Sequence, residues 1–359
     1  MAMRIVVDAM GSDTAPVPEV AGVVEGAKDF DGEVILVGDE ALLQKELEQH
    51  PKRSNVRVVH ASEAISMHDA PVNAVRQKKD SSLLVGLRLV KEGEADAFVS
   101  AGNTGAVMVG ALTVLGKIKG VNRPAICQAL PNATGRVTIL DLGANASCTA
   151  HMLCEFAEMG MAYSQYMLGV EHPRVGLLNI GEEESKGHQV AKDVHRSLSA
   201  MQHVNFIGNV EPKAVFQGGA DVVVCDGFIG NLFLKTSEAA AGFLGKLVRE
   251  KFESSNMNKL GAVLARKALQ ELKATVDPNE SHGAPLLGVN GVVLILHGSC
   301  NQNAVCNAIA GARHALDNRL NQHIGEFIQE LRKFEASQEE GAASSEVSAE
   351  PDVTAGEGI

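Results

Sequence analysis

The sequence predicts an α/β protein whose parallel-rich, three-layer αβα sheet carries helices on both faces. Three observations lead there. Short β-branched runs alternate with segments of three-to-four-residue apolar spacing along most of the chain. Those runs are continuously apolar, as strands buried on both faces are. Glycine is in excess, at 36 of 359 residues, and it gathers where the runs end, as tight strand-to-helix turns require.

Strands are predicted at 5–8, 34–37, 56–60, 97–100, 137–141, 175–179, 204–207, 222–225 and 292–296. Between them, Val20, Val23, Val24 and Ala27, and then Leu42, Leu43 and Leu47, mark helical faces. Residues 246–275 read as a helical hairpin, with its turn at Ser254-Ser255-Asn256 and with Lys259, Arg266, Lys267 and Lys273 on its second arm. Such a hairpin either packs on the main core or presents a basic amphipathic surface to a membrane or partner subunit. From Glu335 to the end there are seven acids and no Lys or Arg. Residues 335–359 are therefore expected to be a disordered acidic tail behind a single α/β catalytic unit at 1–334.

Composition excludes several functions. The formal charge is −12 and there is no tryptophan, which disfavours nucleic-acid binding. No apolar run reaches the ~18 residues of a membrane span, and the strand-like residues from Ile5 leave no leader pattern, so a cytoplasmic protein is expected. The six cysteines lack zinc spacing and read as small buried hydrophobes in a reducing compartment. No G-x-G-x-x-G follows any strand and no Walker loop is present, which disfavours dinucleotide and ATP enzymes.

Chemistry is expected at the strand ends, where ligands of parallel sheets bind. Turns there include Asp8-Ala9-Met10-Gly11, Ser100-Ala101-Gly102-Asn103-Thr104-Gly105, Asp141-Leu142-Gly143-Ala144-Asn145, the Asn179–Gly187 loop with Lys186, Cys225-Asp226-Gly227-Phe228-Ile229-Gly230-Asn231, and His297-Gly298-Ser299. Together they offer free N–H groups and helix N-termini for an oxyanion. Arg76, Lys78 and Lys79, before a helix cap at Asp80-Ser81-Ser82, add positive charge beside them.

These blocks, with Gly283-Ala284-Pro285-Leu286-Leu287-Gly288, run collinearly from about residue 3 to 330 and resemble the phosphate acyltransferases of bacterial phospholipid synthesis. The resemblance implies transfer of an acyl group from acyl-acyl-carrier protein to inorganic phosphate, without cofactor or metal. It also implies a scaffold like that of the isocitrate and isopropylmalate dehydrogenases and of phosphotransacetylase. A homodimer is implied, peripheral to the inner face of the membrane, where the downstream glycerol-3-phosphate acyltransferase resides.

Phosphorolysis of a thioester suits these residue types. Inorganic phosphate, with a second pKa near ~6, is already dianionic at neutral pH, and the protein must supply a phosphate cradle, an oxyanion donor and a dry place for the acyl chain. Lys186 is expected to bind phosphate or the oxyanion and to protonate the thiolate, or else to be a solvated lysine after three glutamates. Asn231 is expected to be the oxyanion donor beside the Gly227 and Gly230 backbone, or else a cap. Asn103 and Thr104 would complete the cradle, with Gly11, Arg76, Lys79, Ser81, Gly102 and Asn145 as further substrate-binding candidates. His297 is either a general acid or a strand-end residue satisfying backbone, while Asp8 and Asp226 are expected to be loop-holding acids. The competing readings are a coenzyme-A phosphotransacetylase and a non-catalytic membrane scaffold for lipid-synthesis enzymes.

Overall fold

The computed structural model describes residues 2–347. In chain order the elements are β1 (Met3–Asp8), α1 (Val17–Gly26), β2 (Gly32–Gly38), α2 (Glu40–Leu47), β3 (Val56–His60), α3 (Pro71–Gln77), α4 (Ser82–Lys91), β4 (Ala97–Ser100), α5 (Thr104–Val114), β5 (Ala125–Ile126), β6 (Gln128–Asn132), β7 (Gly135–Leu140), α6 (Ala150–Leu168), β8 (Val175–Leu178), α7 (Gln189–Ala200), β9 (Phe206–Val210), α8 (Pro212–Phe216), β10 (Val222–Val224), α9 (Gly227–Glu253), α10 (Asn256–Leu264), α11 (Arg266–Val276), β11 (Ala284–Leu287), β12 (Val292–Ile295), α12 (Gln302–Asp317) and α13 (Leu320–Val347).

Every predicted strand forms, but they divide between two sheets. One runs β3-β2-β1-β4-β12-β11-β5 and the other β6-β7-β10-β8-β9. The pairs among β3, β2, β1, β4 and β12 are parallel, as are those among β7, β10, β8 and β9. The three additional strands are the antiparallel ones: β11 against β12 and β5, and β6 against β7. Their segments are short or interrupted by Pro131 and Pro285, so no β-branched run announced them. Cys127 is the single residue between β5 in one sheet and β6 in the other, and its N–H donates to Pro285 O at 2.9 Å.

Side chains at the predicted positions explain the local structure. Val20, Val23 and Val24 of α1 are buried. On α2 Leu43 is buried but Leu42 is exposed. Asp39 accepts the Leu42 N–H at 3.0 Å and so starts that helix. The continuous strands β1 and β4 place Ile5, Val6, Phe98 and Val99 in the interior between helical layers.

The hairpin turn falls where expected. Ser255 caps α10 through the Asn258 N–H at 3.1 Å, and Asn258 Nδ2 returns to Lys251 O at 2.9 Å. Its first arm is longer than predicted, because it is the distal part of a 27-residue helix that begins at Gly227. The acidic tail differs from expectation as well. Residues 335–347 continue α13, and Glu335 binds Arg332 at 2.7 Å and His151 at 2.6 Å. The tail's remainder, 348–359, lies outside the described residues.

One buried acid needs its own account. Glu19, in the first turn of α1, accepts the Ser12 N–H at 3.0 Å, yet its second oxygen is buried with no partner among the described residues. Burial pushes its pKa up to about 7, with Asp8 nearby adding to the rise. A carboxyl with a raised folded pKa favours the folded state most below its unfolded value, and that advantage is lost as pH climbs through the folded value. Glu19→Gln should therefore be more stable than the parent at pH 8, by up to about 3 kcal/mol. The difference should vanish below pH 4.5, the ordinary glutamate value. Thermal or urea unfolding across that range measures it.

Candidate active site

The carboxyl ends of the two sheets face a shared cleft of about 330 Å³. One wall carries Thr104 and Gly105 at the start of α5, and His297 after β12. Opposite these come Leu142, Gly143 and Ala144 after β7, and Asn231, Leu234 and Lys235 of α9. Met108, Ile126, Ile295 and Leu296 make parts of the lining apolar.

A buried carboxylate builds the α9 wall. Asp141 accepts N–H groups from Ile126 (3.1 Å), Gly143 (3.1 Å), Ala144 (3.0 Å) and Asn145 (2.6 Å), and also the Asn145 side-chain amide (2.9 Å). Burial pushes its pKa up and these donors oppose the rise. All five partners are N–H donors, so the ionised form is the one that satisfies them. The start of α9 lies directly against this nest. A Cβ at Gly227 would lie 2.8 Å from an Asp141 carboxylate oxygen, and one at Gly230 would lie 2.0 Å from the Asp141 carbonyl oxygen. Asp226 then caps α9 through the Ile229 N–H at 2.8 Å.

Asp8 does the same work in the other sheet. It accepts the Ser100 hydroxyl at 2.7 Å, and that hydroxyl in turn accepts the Gly102 N–H at 3.0 Å. Gly11 packs on this turn so closely that a Cβ would meet Gly102 N at 2.7 Å. Asp8 is wholly buried, which pushes its pKa up. Asp8 and Asp226 are thus the loop-holding acids that the sequence suggested.

Of the predicted site residues, Thr104, Asn231 and His297 line the cleft. Asn231 sits beside Gly143, and its amide is engaged by none of the described residues. Ser299 N–H reaches His297 Nδ1 at 3.3 Å and the Ser299 hydroxyl lies 2.7 Å from it, which leaves Nε2 to carry the proton of the neutral ring. Thr104 and Gly105 occupy the first turn of α5, where N–H groups have no intrahelical partner.

The other candidates lie behind or outside the cleft lining. Asn103 is nearly buried, capping α5 through Ala106 N–H at 3.1 Å and donating to the carbonyls of Ser66, Met67 and Asp69. Asn145 donates to Pro124 O at 2.8 Å as well as to Asp141. Gly227 N–H donates to Asn145 O and Gly230 N–H to Asp226 O, so these amides are engaged inside the wall. Arg76 is exposed on α3, and Lys79 turns back to Val75 O at 3.1 Å. Ser81 precedes α4, but its buried hydroxyl makes no cap and has no partner among the described residues. Lys186 stands on the loop after β8, 3.8 Å from Glu183.

Lys235 is the residue that the sequence reading passed over, although it follows Asn231 by four positions on a helix and so shares its face. Cys300 also lines the cleft, but burial pushes its thiol up to about 12, so it stays protonated at neutral pH. On another face of α9, Ile180, Phe216, Ile229, Leu232, Phe233 and Leu244 border an apolar groove of about 810 Å³.

The two-sheet arrangement around an interlayer cleft is that of the phosphotransacetylase fold. A phosphotransacetylase from Staphylococcus aureus matches with a TM-score of 0.57 at 17% identity, over 87% of this chain and 94% of its own. One from Streptococcus pyogenes matches with a TM-score of 0.57 at 18% identity, over 88% and 94%. At the level of sequence, residues 3–323 match the family model described as fatty acid synthesis protein, and the chain belongs to that family. Relatives named phosphate acyltransferase include one from Desulfitobacterium hafniense, 47% identical over 94% of this chain and 100% of its own length. Another, from Geobacter sulfurreducens, is 45% identical over 94% and 99%.

The wall geometry makes a direct prediction. Gly230→Ala forces a methyl group into the Asp141 backbone and should cost about 3 kcal/mol of stability. A lower urea midpoint with an unchanged slope would be the readout, and full stability would show that α9 does not rest on this contact.

Proposed function

We propose that this chain is a phosphate acyltransferase that converts acyl-acyl-carrier protein and inorganic phosphate to acyl phosphate and free carrier. The observation that carries the reading is one cleft holding both the open first turn of α5 and the unengaged amide of Asn231. The α5 N-terminus suits a phosphate, and an asparagine amide suits the oxyanion of a tetrahedral intermediate.

The reaction needs little else. A hydrogen phosphate dianion attacks the thioester carbon, a C–O bond forms, and the C–S bond breaks with its electron pair on sulfur. The proton that phosphate brought ends on the carrier thiol, so atoms and charge balance. A protonated Cys300 leaves phosphate as the nucleophile. The apolar groove along α9 gives the acyl chain a dry place. Lys186 lies on the loop bordering that groove and is assigned to the departing thiolate, with phosphate held in the cleft.

The same reading extends to partners. Among the described residues no helix is long and apolar enough to cross a membrane. The hairpin, however, exposes Met257, Leu260, Val263 and Leu264 beside Lys259, Arg266 and Lys267. Apolar residues among lysines and arginines fit peripheral attachment to an anionic lipid surface, near the membrane enzyme that would take acyl phosphate to glycerol 3-phosphate. The exposed Phe243, Leu247 and Val248 on α9 fit a homodimer contact.

Free carrier thiol should appear only when phosphate is supplied, with no added metal or nucleotide. Asn231→Ala should lower kcat about a hundredfold, and Lys186→Ala should slow the carrier-release step. Release without phosphate would point to a thioesterase, and preference for a coenzyme-A thioester would point to a phosphotransacetylase. Absence of thioester cleavage would point to a scaffold.

A further inference from the structure

We infer that Lys235 is the cation that receives the phosphate dianion in the cleft, an assignment that rests on the phosphate acyltransferase reading. Among the described residues that line the cleft it is the only lysine or arginine. Its ammonium has no ion-pair partner among the described residues, whereas Lys186 lies outside the cleft and 3.8 Å from Glu183. Lys235 follows Asn231 by one helical turn on α9, and residues so spaced have Cβ atoms about 5–6 Å apart. A lysine stem from there reaches a phosphate placed beside the thioester carbon whose oxyanion the Asn231 amide receives.

Electrostatics require such a group. Glu238 also lines the cleft and repels a dianion, and the chain as a whole carries −12. Open N–H groups at the start of α5 contribute only about half a unit charge between them. A full positive charge within the cleft offsets Glu238 and holds phosphate near the thioester carbon. Lys235 is thereby a substrate-contacting residue, distinct from Asn231, which acts on the oxyanion.

Phosphate kinetics of Lys235→Met and Lys235→Arg, compared with Asn231→Ala, separate these roles. Lys235→Met should raise the phosphate KM about tenfold to a hundredfold, with kcat at saturating phosphate little changed. Lys235→Arg should recover most of the affinity, and Asn231→Ala should lower kcat at unchanged phosphate KM. A second measurement uses the parent protein. Acetylation of Lys235 by acetic anhydride, followed by peptide mass spectrometry, should slow when inorganic phosphate is added, while labelling of Lys186 should not. An unchanged phosphate KM in Lys235→Met, or equal labelling of Lys235 with and without phosphate, would overturn the assignment. If the parent releases no thiol in response to phosphate, the acyltransferase reading fails instead, and protection of Lys235 by phosphate alone still decides whether it binds the anion.

Discussion

The Asp141 carboxylate organises one whole side of the cleft. Its five N–H partners come from the β5 edge, the turn after β7 and the Asn145 side chain, so a single buried charge ties two sheets and a loop together. α9 starts against that nest at a distance only glycine permits. The position of Asn231 follows from this packing: it is the first non-glycine residue after Gly230, at the point where the helix clears the carboxylate and meets the opening. Asp8, Ser100 and Gly102 reproduce the arrangement on the facing wall. Buried carboxylates ringed by amides are costly unless every lone pair is answered, which is why the surrounding glycines and asparagines are so closely prescribed.

This division of labour explains what the sequence disclosed and what it hid. β-branched runs located the parallel strands because burial on both faces leaves that imprint. The antiparallel segments at Gln128–Asn132 and Ala284–Leu287 carry prolines and polar residues and left none. Glycine and asparagine clusters lie at the strand ends that border the cleft, but composition does not distinguish an amide that builds a wall from one that faces the opening. Asn103 and Asn145 look like Asn231 in the sequence, yet their hydrogen bonds are turned inward. Lys186 stands out in the sequence because glycines flank its loop, while Lys235 sits in an unbroken helical run and looks like an ordinary surface lysine. Only the direction of α9 brings it to the cleft.

Charge is distributed with the same economy. Among the described residues, most of the strand-end polar groups engage one another within the walls, leaving few unanswered donors in the opening. Cys300, neutral at the edge of the lining, adds no competing thiolate. A small, fixed set of groups thus faces the opening against a partly apolar lining, and fixed dipoles of this kind need no rearrangement when charge develops beside them.

The step at Cys127 has a mechanical meaning. With Ala125–Ile126 stitched into one sheet and Gln128–Asn132 into the other, a single residue spans the seam, and Ile126 and Gln128 on either side of it both border the opening. Pulling the halves straight apart along that edge would tear ladder bonds on one side or the other. Were the two sheets to move against each other, the far margin would swing while the stitched margin kept its gauge, as a book turns on its spine, and the residues beside the seam would keep their spacing.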